Sequence, residues 1–147
     1  MIPGFEKDGN LPAGEHECLW AEFVARFGQT AYRRQLLAGL KAALDSLKAA
    51  GCTRAYVDGS FVTAKDAPGD FDGCWDVTGV DPTRLDPILL TFGHGRLAQK
   101  IKYKGEMFPA QIVADSVSGR TFLEFFQIAK DTGKPKGIIA LDLRRLP

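Results

Sequence analysis

Arg54-Ala55-Tyr56-Val57-Asp58 runs into Gly59-Ser60, and after residues 61–69 comes Asp70-Phe71-Asp72-Gly73-Cys74-Trp75. The first run is short, rich in β-forming residues and closed by a turn residue, which predicts a strand over Arg54–Asp58 ending on Gly59-Ser60. Phe61 to Lys65 leaves room for one helical turn, Asp66-Ala67-Pro68-Gly69 is a loop by composition, and Asp70–Trp75 reads as a second strand. Side chains alternate along a strand, so Asp70 and Asp72 project to one face while Phe71 enters the core on the other.

Working outward, Thr30 is placed to cap a long helix reaching about Ala50, with Leu36, Leu37, Leu40, Ala43, Leu44 and Leu47 on one face and Gly51 as its stop. Leu19, Trp20, Phe23, Val24 and Phe27 predict a shorter amphipathic helix over Cys18–Phe27. On the other side, Asp81-Pro82 has the form of a helix start with Leu85 to Leu90 as its apolar residues, and a further helix spans Arg96 to Tyr103. A third strand is expected over Met107–Ala114, an aromatic helical face at Phe122–Phe126, and a last strand over Ile138–Leu143. Helices alternate with strands, so the expected class is α/β (α+β), a small mixed sheet with helices packed on it. Pro3, Gly4, Gly9, Asn10, Pro12 and Gly14 break the first stretch, so residues 1–17 read as an extended arm and 18–147 as a single domain.

The bulk properties exclude several classes. A chain of 147 residues with 45% hydrophobic and 25% charged residues has the balance of a soluble globular unit. No apolar run approaches the roughly 18 residues that span a bilayer, and Met1-Ile2-Pro3-Gly4 lacks the pattern of a secretory signal, so a cytoplasmic location and no membrane partner are expected. Cys18, Cys52 and Cys74 are odd in number and widely spaced, which argues against a disulfide framework or a zinc site. The net charge of +1 does not itself call for nucleic acid. Locally, Arg96, Lys100, Lys102 and Lys104 lie in a stretch without an acid; this is either a solvated helix face or a patch opposite a triphosphate or an RNA backbone.

Phosphoryl and nucleotidyl transfer need donors that hold the polyphosphate and metal ions that spread developing charge. Aspartates supply oxygen ligands suited to magnesium, and Asp70 and Asp72 are placed to act together. Gly59 lets the backbone approach a phosphate without a Cβ in the way, and the Ser60 hydroxyl and amide can donate to it. The run Gly59-Ser60 followed by Asp70-Phe71-Asp72 resembles the signature of the polymerase-beta-like nucleotidyltransferase superfamily, over about Ala43 to Trp75. The chain length resembles the minimal nucleotidyltransferases of prokaryotic toxin–antitoxin pairs. The whole chain also looks like a group of small uncharacterised bacterial proteins sharing the Leu11-Pro12 arm and the block from Asp58-Gly59-Ser60 to Trp75-Asp76.

The resemblance implies a nucleotidyltransferase-like fold, phosphate binding by Gly59 and Ser60, and Asp70 and Asp72 as catalytic metal ligands for magnesium or manganese. It implies transfer of a nucleoside monophosphate from an NTP to a hydroxyl on a protein or RNA. It also implies a third acid on the neighbouring strand. Inside Met107–Ala114 the sequence offers only Gln111, while Glu106, Asp115 and Asp142 are candidates around it. Lys65 and Lys100 are candidate phosphate-neutralising cations, with an ordinary surface role as the alternative for each. Asp76 reads as a turn cap, His94 as a solvent-facing loop residue, Phe122, Phe125 and Phe126 as core or partner-facing surface, and Cys74 as no nucleophile. The size of the chain points to a cognate partner, a toxin or helix-turn-helix protein, or to a second copy that completes the acceptor site. The competing expectations are a catalytically inactive nucleotidyltransferase-fold binding protein, acting as antitoxin or regulatory subunit, and a stand-alone nucleotide sensor.

Overall fold

The Thr30 hydroxyl accepts the Arg33 backbone N–H at 3.1 Å and starts the longest helix, which ends at Ala49. A computed structural model describes every residue from Met1 to Pro147. In chain order the elements are β1 (Gly14–Cys18), α1 (Trp20–Phe27), α2 (Ala31–Ala49), β2 (Arg54–Asp58), β3 (Phe71–Trp75), α3 (Gly93–Tyr103), β4 (Gly105–Pro109), α4 (Phe122–Phe125) and β5 (Gly137–Asp142), with short 3₁₀ turns between them. The strands form one mixed sheet in the order β1-β5-β2-β3-β4. β1 runs parallel to β5 and β4 parallel to β3, while β2 is antiparallel to both of its neighbours. The fold is α+β, as the pattern of helices and strands predicts. No helix is long and apolar enough to cross a membrane.

The period-two alternation sorts the sheet residues onto two faces. Ala55, Val57, Phe71, Trp75, Met107, Ile139 and Leu141 join the apolar stripes of α1 and α2 in a core of 27 buried residues. Tyr56, Cys74, Ile138 and Ala140 face the opposite way, where only Ala110 and Phe126 complete a second buried cluster of six. At roughly 25 cal/mol per Å² of apolar surface removed from water, the larger face dominates the stability of the fold.

Three expectations shift against the structure. The arm beyond Gly14 forms an edge strand, a position that tolerates its neighbouring breakers because only one side of β1 must pair. The expected helix at 81–90 is instead two 3₁₀ turns, Pro82–Arg84 and Pro87–Leu90, because Pro87 has no N–H to donate to a continuing helix. Asp81 and Asp86 each cap one turn by accepting a backbone N–H. The third strand begins two residues earlier than Met107 and ends at Pro109, where the missing N–H stops the ladder. That shift brings Glu106 into the strand.

Candidate metal centre and its cleft

Gly59 follows the last residue of β2 with φ +82°, a left-handed conformation that costs a side-chain-bearing residue of the order of 1–3 kcal/mol. A Cβ at this position would also lie 2.5 Å from the Asp72 Oδ2. The turn and the acid pair are therefore one packed unit, and glycine is required at the point where they meet. Ser60 opens a 3₁₀ turn over Ser60–Val62, and its carbonyl accepts the Thr63 hydroxyl at 2.7 Å.

The turn is held from behind by Arg33, a buried arginine on α2. Its guanidinium donates to the carbonyls of Phe61 at 2.7 Å, Phe27 at 3.3 Å and Thr63 at 3.2 Å, and also to that of Lys65. It lies 5.1 Å from the centre of the Phe61 ring. A single cation thus satisfies four carbonyls and fixes the path of residues 61–65. The sequence carries a signal for it: Arg33 continues the stripe of Leu36, Leu37 and Leu40 by one turn, so it is a charge on an otherwise apolar face.

Register across the sheet assembles the acids. Asp58 on β2 is opposite Asp72 on β3, and Asp72 is opposite Glu106 on β4. Cross-strand partners share a face, so the three carboxylates form a row, with Asp70 just before β3 on the same side. Ligand oxygens of Asp70, Asp72 and Glu106 all lie within 4.8 Å of one another. Of the three candidates for a third acid, Glu106 is the one the structure brings to the pair. Asp115 lies in a loop and accepts the Val117 N–H at 3.0 Å, while Asp142 sits at the end of β5 and pairs with Arg144 at 2.9 Å.

Burial, and charge crowding after it, show in the acid equilibria. Burial, then Asp70 and Glu106, push the Asp72 carboxyl up from 3.8 to about 7. Burial and Glu106 also raise the Asp70 carboxyl, opposed by Lys100 and Lys130. Asp58 is raised by burial against the lowering pull of Lys136, whose Nζ lies 3.1 Å from its Oδ1. Glu106 has a counter-charge already: the Arg96 Nε donates to its Oε2 at 2.7 Å. Arg96 reaches it from a left-handed turn in which His94, Gly95 and Arg96 have φ of 53°, 64° and 62°. Two non-glycine residues in that region mark a strained segment held by its surroundings.

A cleft of about 580 Å³ opens over this row, with Gly59, Ser60, Asp72 and Glu106 on its floor. Lys130, Lys136 and Arg96 also line it. Its apolar wall is built by Phe108 and Phe122, whose rings stack at 4.2 Å and 7°. Phe126 belongs to the smaller core, and Phe122 and Phe125 pack against that core while also facing the cleft. Sequence reasoning missed Asp58, Arg33, Lys130 and Lys136, since each acts through a partner far away in the chain.

Other residues singled out in the sequence lie elsewhere. Lys65 lines a separate depression with Arg33 and Asp66, because the Arg33 contact turns this stretch away from the cleft. Lys100 borders a second cleft that includes Asp70. Asp76 is a turn cap that accepts the Thr78 N–H at 2.9 Å and the Gln111 side chain at 2.7 Å. His94 is exposed. Cys74 is fully buried and its thiol is driven up by burial, the opposite of an activated nucleophile.

Comparison with curated proteins found no match, and comparison with solved structures found none either. A family model matches residues 3–142, nearly the whole chain from the arm to the end of β5. On that match the chain belongs to the family of unknown function DUF6932.

Proposed function

We propose that this chain is a metal-dependent nucleotidyltransferase that moves a nucleoside monophosphate from an NTP to a hydroxyl on a protein or RNA, within a two-component system of the toxin–antitoxin kind. The observation that carries this reading is the convergence of Asp70, Asp72 and Glu106 within 4.8 Å, directly against the Gly59-Ser60 turn. The donor set fits magnesium or manganese. It is all oxygen and it comes from three separate side chains, and burial first, then the neighbouring Asp70 and Glu106, make the ionised Asp72 carboxylate one that a cation stabilises. Such an ion, when bound, supplies charge stabilisation for the phosphoryl oxygens during transfer.

The remaining work falls to the chain itself. Gly59 seats the Asp72 carboxylate against the turn, and the Ser60 hydroxyl and amide donate to a phosphate beside it. Lys130 and Lys136 line the same cleft and offset the charge of a polyphosphate. The Phe122 ring, backed by Phe108, offers a flat apolar surface to the nucleobase. In the reaction, the acceptor oxygen forms a bond to the α-phosphorus as the bond between that phosphorus and the bridging oxygen to the β-phosphate breaks. Pyrophosphate leaves with the electron pair, and the hydroxyl proton passes to a nearby carboxylate or to water.

The test is transfer of label from NTPs to acceptors in a cell lysate with magnesium, comparing the parent chain with Asp70→Asn, Asp72→Asn and Glu106→Gln. Each substitution is expected to lower transfer by about 10²–10³-fold. Transfer that survives all three would remove the site from the chemistry. One observation favours a second reading, that of a binding module: the Arg96 guanidinium already neutralises Glu106. That reading predicts no transfer and no magnesium-dependent NTP binding by the parent chain.

A further inference from the structure

Asp70 borders a second cleft, separate from the one that holds Gly59, Ser60 and Asp72. Its volume is about 350 Å³, enough for a group the size of a single nucleotide. One wall is the start of α2, with Tyr32, Gln35 and Leu36, and the other is the end of α3, with Lys100 and Lys104. The two helices are locked at this point by a close approach: a Cβ on Gly39 of α2 would lie 1.9 Å from the Tyr103 carbonyl oxygen, so only glycine fits. Tyr103 stands between the two lysines in sequence, and the cleft walls are therefore set by backbone contact rather than by mobile side chains.

The chemistry of the walls is specific. Lys102 turns away and pairs with Asp86, whereas Lys100 and Lys104 are exposed and have no ionic partner. Lys104 holds its place in a left-handed C-cap conformation, φ 64°, where glycine is the usual occupant. Across the cleft Tyr32 is 42% exposed while its hydroxyl donates to the Gly69 carbonyl at 3.3 Å, so the side chain is oriented and partly open to solvent. Two unpaired cations beside a fixed, exposed aromatic ring are the elements that bind single-stranded nucleic acid, cations on the phosphates and a ring under a base. A hydroxyl-bearing protein side chain requires neither.

We infer that the cleft of Tyr32, Gln35, Lys100 and Lys104 receives the end of a single-stranded RNA and delivers its terminal ribose hydroxyl to the Asp70 side of the carboxylate cluster, opposite the NTP. The inference rests on the nucleotidyltransferase reading. It gives Asp70 and Asp72 different duties, since Asp70 borders the acceptor cleft and Asp72 the nucleotide cleft. The bond changes are those of the transfer above, with the ribose oxygen as the attacking atom.

The experiment measures fluorescence anisotropy of a short labelled single-stranded RNA with a free terminal hydroxyl, at two salt concentrations, alongside binding of magnesium-NTP. The Lys100→Ala/Lys104→Ala variant is expected to bind the RNA about tenfold more weakly, with the salt slope reduced by about 1.4 for two lost phosphate contacts. Tyr32→Ala should weaken RNA binding by a comparable factor without changing the salt slope. Magnesium-NTP affinity should be unchanged in Tyr32→Ala and no weaker in the lysine variant, because Lys100 acts on the Asp70 carboxylate as a competing cation. RNA affinity that is indifferent to the lysine and tyrosine substitutions overturns the inference, and so does label transfer to a protein acceptor that the RNA fails to compete. The nucleotidyltransferase reading fails by a different result, namely magnesium-NTP binding that is unaffected by Asp70→Asn, Asp72→Asn and Glu106→Gln.

Discussion

The face of the sheet under α1 and α2 buries a cluster of 27 residues, whereas the face that carries the acids buries six. Both faces come from the same five strands, so the difference lies in what covers them. α2 lays Leu36, Leu40, Ala43, Leu44 and Leu47 across one side, while the other side has only the single turn of α4 and its phenylalanines. The less thickly covered part is where Asp58, Asp72 and Glu106 stand in register, with Asp58 itself buried under Lys136. One face supplies the free energy of folding, and its surplus supports a row of crowded carboxylates on the other. This division is common where a strained or charged site is tolerated by the surrounding structure.

The comparison can be broken first by Leu40→Ala, a fully buried position on the helical side. Denaturant unfolding should show a loss of about 2–5 kcal/mol, and magnesium-NTP affinity per folded molecule should stay constant. Phe122→Ala, on the cleft side and only half-buried, should cost less; an equal loss would mean that the two faces share the load. Next in size is Gly59→Ala, which meets both the positive φ and the Asp72 carboxylate. A destabilisation of about 1–3 kcal/mol is expected, and, unlike Leu40→Ala, it should weaken magnesium-NTP binding as well.

The acid row gives a pH signature of opposite sign. The Asp72 carboxyl sits at about 7 in the folded chain against 3.8 ordinarily, so the folded state binds the proton more tightly than the unfolded state. The cost of ionising it therefore sets in as pH rises from 3.8 and is fully present above about 7. Asp58 and Asp70 are raised too and act in the same sense. Thermal melts should show that Asp72→Asn stabilises the chain at pH 8, by roughly 2–4 °C for each kcal/mol gained, and has little effect near pH 4. Magnesium should raise the melting temperature of the parent chain at pH 8, and this gain should shrink as the carboxylates protonate. A flat profile would mean that the row is not charged as the geometry implies. The smallest expected effect is at Lys41, which pairs with Asp45 on the exposed side of α2 at 2.9 Å. Lys41→Ala should cost only about 0.2–0.5 kcal/mol, and a larger loss would show that the outer surface of α2 contributes more than its packing suggests.

Local patterns made much of this legible in advance. The apolar stripe and Thr30 cap of α2, the short strand into Gly59-Ser60, and the alternation around Phe71 all rest on neighbours within a few residues. They survive folding because the tertiary structure adds to them. The third carboxylate was not legible to the same degree. Glu106 enters the site because β4 starts at Gly105 and pairs in parallel with β3, a register that no residue near Glu106 announces. Pro109 was a visible limit on the strand, and reading it as a stop would have moved the strand toward Glu106. The pairing of Asp58 with Lys136 spans 78 positions in the chain, and that of Arg33 with the Lys65 carbonyl spans 32. Lys65 itself illustrates the reverse error of proximity: it is close to Ser60 in sequence, but its backbone, not its ammonium, is what the fold uses.

The place of β5 in the sheet has a kinetic corollary. β2, β3 and β4 are neighbours in the sheet and follow one another in the chain, but β1 is joined to β2 only through β5, which is made after all of them. During synthesis the nascent chain therefore holds two unpaired strand edges, on β1 and β2, until Gly137–Asp142 has emerged. The insertion of that strand closes loops of more than a hundred residues on the β1 side, which makes it a slow step by the cost of long-range contact formation. Lys136 arrives with it. The charge that neutralises Asp58 is thus delivered by the same strand that seals the sheet, so a chain in which β5 has not docked leaves both of these edges open and Asp58 without its counter-charge.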